Sequence, residues 1–111
     1  MTKAMTDTIF SKIIKNEIPS DKIYENDLLL CIKDKYPKAP VHLLCIPKKY
    51  FKDYTDFIAN ETQENICIFF KTIAEIIEKQ GLDNFKLITN NGEKAGQEIF
   101  HFHVHIMGYH S

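Results

Sequence analysis

Apolar positions along the chain repeat with two periods, near 3.6 and 2, and divide it into two helices and five strands. Ile9, Phe10, Ile13 and Ile14 recur at helical spacing after Thr8, which predicts a short helix ending near Glu17, Ile18 and Pro19. Residues 22–25 and 28–33 read as strands joined by the turn pair Asn26 and Asp27. Pro37 and Pro40 bracket a loop, and residues 41–46 form the next strand, stopped by Pro47. The longest helix spans residues 61–80, with Asn60 as N-cap, Gln63 in the capping-box position and Gly81 closing the end. Its apolar stripe is Ile66, Phe69, Phe70, Ile73 and Ile77, more than one small sheet need cover, so the stripe predicts a homodimer. Residues 85–89 form a strand, 90–96 a polar turn, and 99–107 the last strand. Helices and strands do not alternate strictly and most strands are joined by short loops. The pattern predicts one α+β domain over residues 7–111, built on an antiparallel sheet, behind a flexible tail over 1–6.

Composition narrows the function classes. Apolar residues make up 44% of the chain, enough for a packed core. A net charge of −1 leaves no basic surface for polymeric nucleic acid. The 14 basic residues are all lysine, so any phosphate site lacks the bidentate fork of arginine and relies on backbone amides, histidines or a lysine. Cys31, Cys45 and Cys67 sit among apolar residues with no framework spacing, which predicts buried reduced thiols. No apolar run reaches the length of a membrane span, and the polar start lacks a signal-peptide core. A cytoplasmic location without membrane partners is expected.

The chemistry concentrates at one end. Four of the five histidines lie in the last eleven residues, and three alternate with apolar residues in His101, Phe102, His103, Val104 and His105. On a strand the three imidazoles share one face, with neighbours roughly 6.6–7 Å apart at Cα. Packing gives no reason to alternate histidine with apolar residues, so the row points to chemistry. One reading is a metal site, with His42 adding a ligand. The other makes the middle imidazole a nucleophile towards phosphorus, since a phosphorylated imidazole is also a good leaving species. A neighbouring histidine would then hold a proton for the departing group. The turn ahead of the row, with Gly92 and Gly96, could present amides to an anion.

Residues 101–107 resemble the His-φ-His-φ-His-φ-φ motif (φ, apolar) of the histidine triad family. Residues 7–14 with Glu17, Ile18 and Pro19 resemble the opening of its Hint branch, as do residues 39–42, 46–49, Gly96 and Gln97. The resemblance implies hydrolysis of purine nucleoside 5′-phosphoramidates through a covalent nucleotidyl-histidine, with no cofactor and no metal. His103 would be the nucleophile, His101 and His105 its assistants, and His42 the fourth site histidine. Asp34 would hold the ribose hydroxyls, with Lys35 beside it, and Asn90 would contact the nucleotide. Ile9, Phe10, Ile13 and Ile32 would wall the purine pocket, and Gly96, Gln97 and Glu98 would cradle the phosphate. Glu98 departs from the family's usual serine, so its carboxylate is expected to turn away and leave its amide as donor. The chain also stops at Ser111, without the longer tail that some Hint proteins extend into a partner's site. The implied fold is a five-stranded antiparallel sheet with a short N-terminal helix and one long helix, dimerising into a continuous sheet. A nucleotide-binding regulatory module and a diadenosine-polyphosphate hydrolase are the alternative readings.

Overall fold

Residues 43–46 form an unbroken apolar run, and such a run belongs to a strand covered on both faces. In the computed structural model, which describes residues 7–110, that strand is the centre of a five-stranded antiparallel sheet. The tail expected over residues 1–6 lies outside the described residues. Strands β1 (Lys22–Glu25), β2 (Leu29–Lys33), β3 (Val41–Pro47), β4 (Asn84–Ile88) and β5 (Val104–Tyr109) stand in the order β1-β2-β3-β5-β4. The first turn forms as expected: Asn26 Oδ1 accepts the amides of Leu28 and Leu29 at 2.8 and 2.9 Å.

The two sheet faces carry different cargo. Leu29, Cys31, Leu43, Cys45, Val104 and Ile106 face the core beneath α3 (Gln63–Lys79), where Phe69, Ile73, Ile76 and Ile77 are buried. Leu30, Ile32, Leu44 and Ile46 face the other way, under Phe10 and Ile13 of α1 (Ile9–Ile14). Six residues are too few to hold a helix alone, so α1 depends on these contacts and on its cap. Cys31 and Cys45 are buried free thiols, while Cys67 is exposed. That last position corrects the expectation of three buried thiols: Cys67 lies on the solvent side of α3.

Three further differences from the sequence pattern have physical causes. A third helix, α2 (Tyr54–Asn60), precedes the long one. It is too short to show a helical period and buries one large side chain, Phe57; its signal was Asp53, whose carboxylate caps Asp56 N at 2.9 Å. Asn60 therefore ends α2, and Thr62 caps α3 by accepting Asn65 N at 3.1 Å. Gly81 does close α3, in the left-handed conformation at φ +68°. The last strand begins at Val104, five residues later than expected. Its register pairs Cys45 with Val104, so continuing it would set Phe102 opposite Pro47, which has no N–H to give. Phe102 N donates instead to Phe51 O at 2.7 Å. The apolar stripe expected to await a partner is largely covered within the chain, with Phe69, Ile73 and Ile77 buried and Ile66 and Phe70 partly so.

Phe57 stacks on Phe102 with centroids 4.4 Å apart and meets Phe51 and Phe69 at 5.2 Å each. This cluster backs the segment that carries the histidines. Phe57→Ala should cost about 3–5 kcal/mol of stability, read by urea unfolding, because it empties a closed aromatic core. A loss below about 1 kcal/mol would show that α2 is a loosely attached element.

Candidate active site

Antiparallel register builds the site on the α1 face. Residues directly opposite share a face, so Leu44, His105 and Ile88 form one row across three strands, and His42 and Met107 part of the next. A cavity of about 930 Å³ opens over these rows. His42, His103, His105, Asp34, Lys35, Asn90, Gly96, Gln97, Glu98, Ile9, Phe10 and Ile32 all reach its wall. Two residues expected there do not. Ile13 lies in the core beneath α1, and His101, 1% exposed, sits behind His103. The alternation of the row survives although its first half is off the ladder: Phe102 and Val104 point to the α3 core, the imidazoles away from it.

Hydrogen-bond partners fix the protons on the rings. A carbonyl only accepts, so His101 Nε2 donates to Pro47 O at 3.2 Å, and His103 Nδ1 donates to His101 O at 2.7 Å. The second bond leaves His103 Nε2 unprotonated on a ring that lines the cavity. An amide only donates, so His42 Nδ1 accepts from Lys38 N at 3.0 Å and its proton sits on Nε2. That proton points to His105 Nδ1 at 2.9 Å, with Asp34 Oδ2 at 3.3 Å. His105 in turn carries its proton on Nε2. Burial pushes His101 and His105 down to about 4, and lowers His103 and His42 as well. The charges of His103 and His42 add to the effect on His105. All four rings are thus neutral at pH 7.

The turn at residues 90–98 is a folded brace. Gly92 and Gly96 take φ +98° and +94°, open to glycine, around a 3-10 turn at Glu93–Ala95. The amides of Gly96 and Gln97 donate within the turn, to Glu93 O and Gly92 O. The Gln97 side chain is also engaged, accepting Gly92 N at 2.8 Å and donating to Lys52 O and Ile99 O. Gly96 and Gln97 therefore shape the turn and have no free amide to offer an anion. Among the described residues, no backbone carbonyl engages the amides of Glu98 and Ile99 in this way. Glu98 itself is exposed at the cavity wall. Asn90 ties the turn through Nδ2 to Ala95 O at 2.8 Å.

The HIT domain family matches residues 15–111 of the chain. The chain belongs to the HIT family. It is 49% identical over 104 residues to an uncharacterised HIT-like protein of Rickettsia prowazekii, covering 92% of this chain and 87% of the relative. Over 104 residues it is 38% identical to the purine nucleoside phosphoramidase of Escherichia coli, with the same coverage. A histidine triad protein from Clostridium difficile superposes with a TM-score of 0.86 at 36% identity, covering 100% of this chain and 96% of that one. A HIT family hydrolase from Clostridium thermocellum gives 0.82 at 34%, covering 95% and 92%. These relatives support hydrolase chemistry of the phosphoramidase type in this HIT domain.

Among the described residues Asp34, His42 and His105 could each offer one metal-ligand atom within 4.8 Å of the others. The donor chemistry does not fit an ion. A metal-bound imidazole normally donates its other N–H to an acceptor. Here the other nitrogen of His42 faces the Lys38 amide, a donor, so Nε2 holds the proton that a metal would have to displace.

Several site residues escaped the sequence reading. Tyr50, like Phe10, packs edge-on against His101, with centroids 5.2 Å apart. Thr89 Oγ1 donates to His103 O at 2.8 Å, and Thr8 Oγ1 lies 3.0 Å from His101 Nδ1. Leu44 and Ile88 flank His105 by register alone, a signal that alternation on β3 would have given for Leu44. No helix among the described residues is long and apolar enough to cross a membrane.

His101 is neutral in the fold down to about pH 4, whereas the unfolded chain protonates it near pH 6.5. Between those values the unfolded state binds more protons. Stability is full above pH 6.5 and falls as the pH drops towards 4, by about 3 kcal/mol from this ring. Urea unfolding at pH 7, 5.5 and 4 should show that slope, reduced in His101→Asn. An identical slope in both proteins would assign the effect elsewhere.

Proposed function

We propose that this HIT protein hydrolyses purine nucleoside 5′-phosphoramidates through a nucleotidyl intermediate on His103. The observation that carries the reading is the 2.7 Å bond from His103 Nδ1 to His101 O, which leaves Nε2 as the lone-pair nitrogen of a neutral ring. His103 Nε2 bonds the α-phosphorus as the phosphorus–nitrogen bond breaks. One proton taken up with the anionic substrate, held between His105 and the leaving nitrogen, departs on the amine. Water, hydrogen-bonded by the Nε2–H of His105, then bonds phosphorus through its oxygen as the phosphorus–Nε2 bond breaks, and the proton it loses returns to solvent, balancing the one taken up with the substrate. Neutral His103 and the nucleoside monophosphate are the products. The amides of Glu98 and Ile99, with Asn90, serve the phosphate oxygens. Ile9, Phe10 and Ile32 take the purine, and Asp34, with Lys35 at the rim, takes the ribose hydroxyls. Asp34 Oδ1 already accepts Tyr36 N at 2.8 Å, which holds the carboxylate in place.

With adenosine 5′-phosphoramidate as substrate, the wild type should release AMP and His103→Ala should lose at least about a thousandfold in kcat, since the covalent step goes with the ring. Intact-mass measurement after rapid neutral quench should find a nucleotidyl adduct on His103. Turnover by His103→Ala within about tenfold of wild type would remove the nucleophile assignment.

The same reading includes a homodimer, now supported by a different surface. β4 is an edge strand, and its Phe85 and Leu87, each 43% exposed, lie on the α3 face beyond the reach of that helix. An unpaired edge carrying exposed apolar side chains is a ready interface. Sedimentation at micromolar concentration should give a dimer, and Phe85→Glu with Leu87→Lys a monomer. A monomeric wild type would overturn this part.

A further inference from the structure

The N-cap of α1 touches the histidine row. Thr8 Oγ1 accepts the amide of Ser11 at 3.1 Å, which caps the helix, and lies 3.0 Å from His101 Nδ1. A hydroxyl has one proton and two lone pairs. Because His101 Nε2 must donate to Pro47 O, the Nδ1 of the neutral ring is a bare lone pair, and the single Thr8 proton is the donor that meets it. His101 is 1% exposed, so no solvent replaces that donor.

We infer that Thr8 is a positioning residue that sets the tautomer of His101 and, through the His101 carbonyl, the orientation of the His103 ring. The chain of bonds runs from the α1 cap to the reactive nitrogen: Thr8 Oγ1–H to His101 Nδ1, His101 Nε2–H to Pro47 O, and His103 Nδ1–H to His101 O. If His101 carried its proton on Nδ1, the Pro47 carbonyl would face a lone pair. The ring would then turn and take its backbone carbonyl with it. The same helix presses Phe10 edge-on against both rings, at 5.9 Å from His101 and 4.8 Å from His103. Thr8 thereby ties the helix that walls the cavity to the row beneath it. This role rests on His103 being the nucleophile, but the tautomer it sets does not.

Three substitutions separate the cap from the histidine bond. Thr8→Val keeps the shape and removes both bonds, Thr8→Ser keeps both, and Thr8→Asp keeps a capping acceptor but has no proton for His101. Long-range 1H–15N spectra should show His101 Nδ1 unprotonated in the wild type and Thr8→Ser, and protonated in Thr8→Asp. Thr8→Asp should melt within about 3 °C of wild type, because the cap survives. On adenosine 5′-phosphoramidate, Thr8→Val and Thr8→Asp should lose at least about tenfold in kcat with KM changed less than about threefold, and Thr8→Ser should recover most of the loss. An unprotonated Nδ1 in Thr8→Asp, or kcat lost only in step with melting temperature, would reduce Thr8 to a helix cap and overturn the inference. A wild type without turnover would sink the proposed reaction, while the imidazole spectra would still decide the tautomer.

Discussion

The site depends on one constraint: a buried neutral imidazole has one proton, and its surroundings decide which nitrogen holds it. Burial first of all lowers the affinity of all four rings for a second proton, so each must be a donor at one nitrogen and an acceptor at the other. The partners are almost all backbone groups whose roles cannot reverse. Pro47 O and His101 O accept, and Lys38 N donates. Four tautomers are therefore held by three backbone groups, one contact between rings and, at His101, the Thr8 hydroxyl as well. That assignment presents a lone pair on His103 and a proton on His105 to the same cavity. It also argues against an ion at Asp34, His42 and His105, although these residues are close enough to suggest one.

Backbone groups can serve this way only where the ladder stops. Pro47 cannot continue the pairing of β3 with the approach to β5, and the histidine segment from 101 to 103 leaves the sheet. Its backbone is held instead from both sides, by Phe51 O on the Phe102 amide and by Thr89 Oγ1 on the His103 carbonyl. The aromatic cluster of Phe51, Phe57, Phe69 and Phe102 then supplies the packing that the missing ladder would have given. One face of the sheet is thus sealed so that the other can stay open over the rings.

Much of this was legible in the residues. Alternation placed the imidazoles on one face, and the apolar run stopped by Pro47 marked β3 as a strand. Gly81 and Asn26 marked a helix end and a turn through chemistry that is local. What stayed hidden was non-local or too short to have a period. α2 has one turn more than a loop and one large buried side chain, so its cap at Asp53 was the available sign. Phe10 and Ile13 differ by three positions, look alike in sequence and share one core cluster, yet only Phe10 also lines the cavity, a difference set by tertiary placement of α1. Thr8 read as a helix start, which it is, and its second bond reaches across 93 positions.

The turn before the row bears on how the proposed phosphate site would work without arginine. A flexible glycine loop would have to order itself around the anion, at an entropic cost of order 1–2 kcal/mol per residue fixed. Here Gln97 and the internal bonds of residues 92–97 have already imposed that order. Two amides of the turn, those of Gly96 and Gln97, are engaged in the brace, which leaves the amides of Glu98 and Ile99 as the donors of the proposed cradle. Preorganised donors gain more for a developing charge than stronger donors that must first move. In the proposed site, amides held this way would offset the absent guanidinium, while the carboxylates at the cavity wall, Glu98, Asp34 and Asp21, oppose an anion's approach.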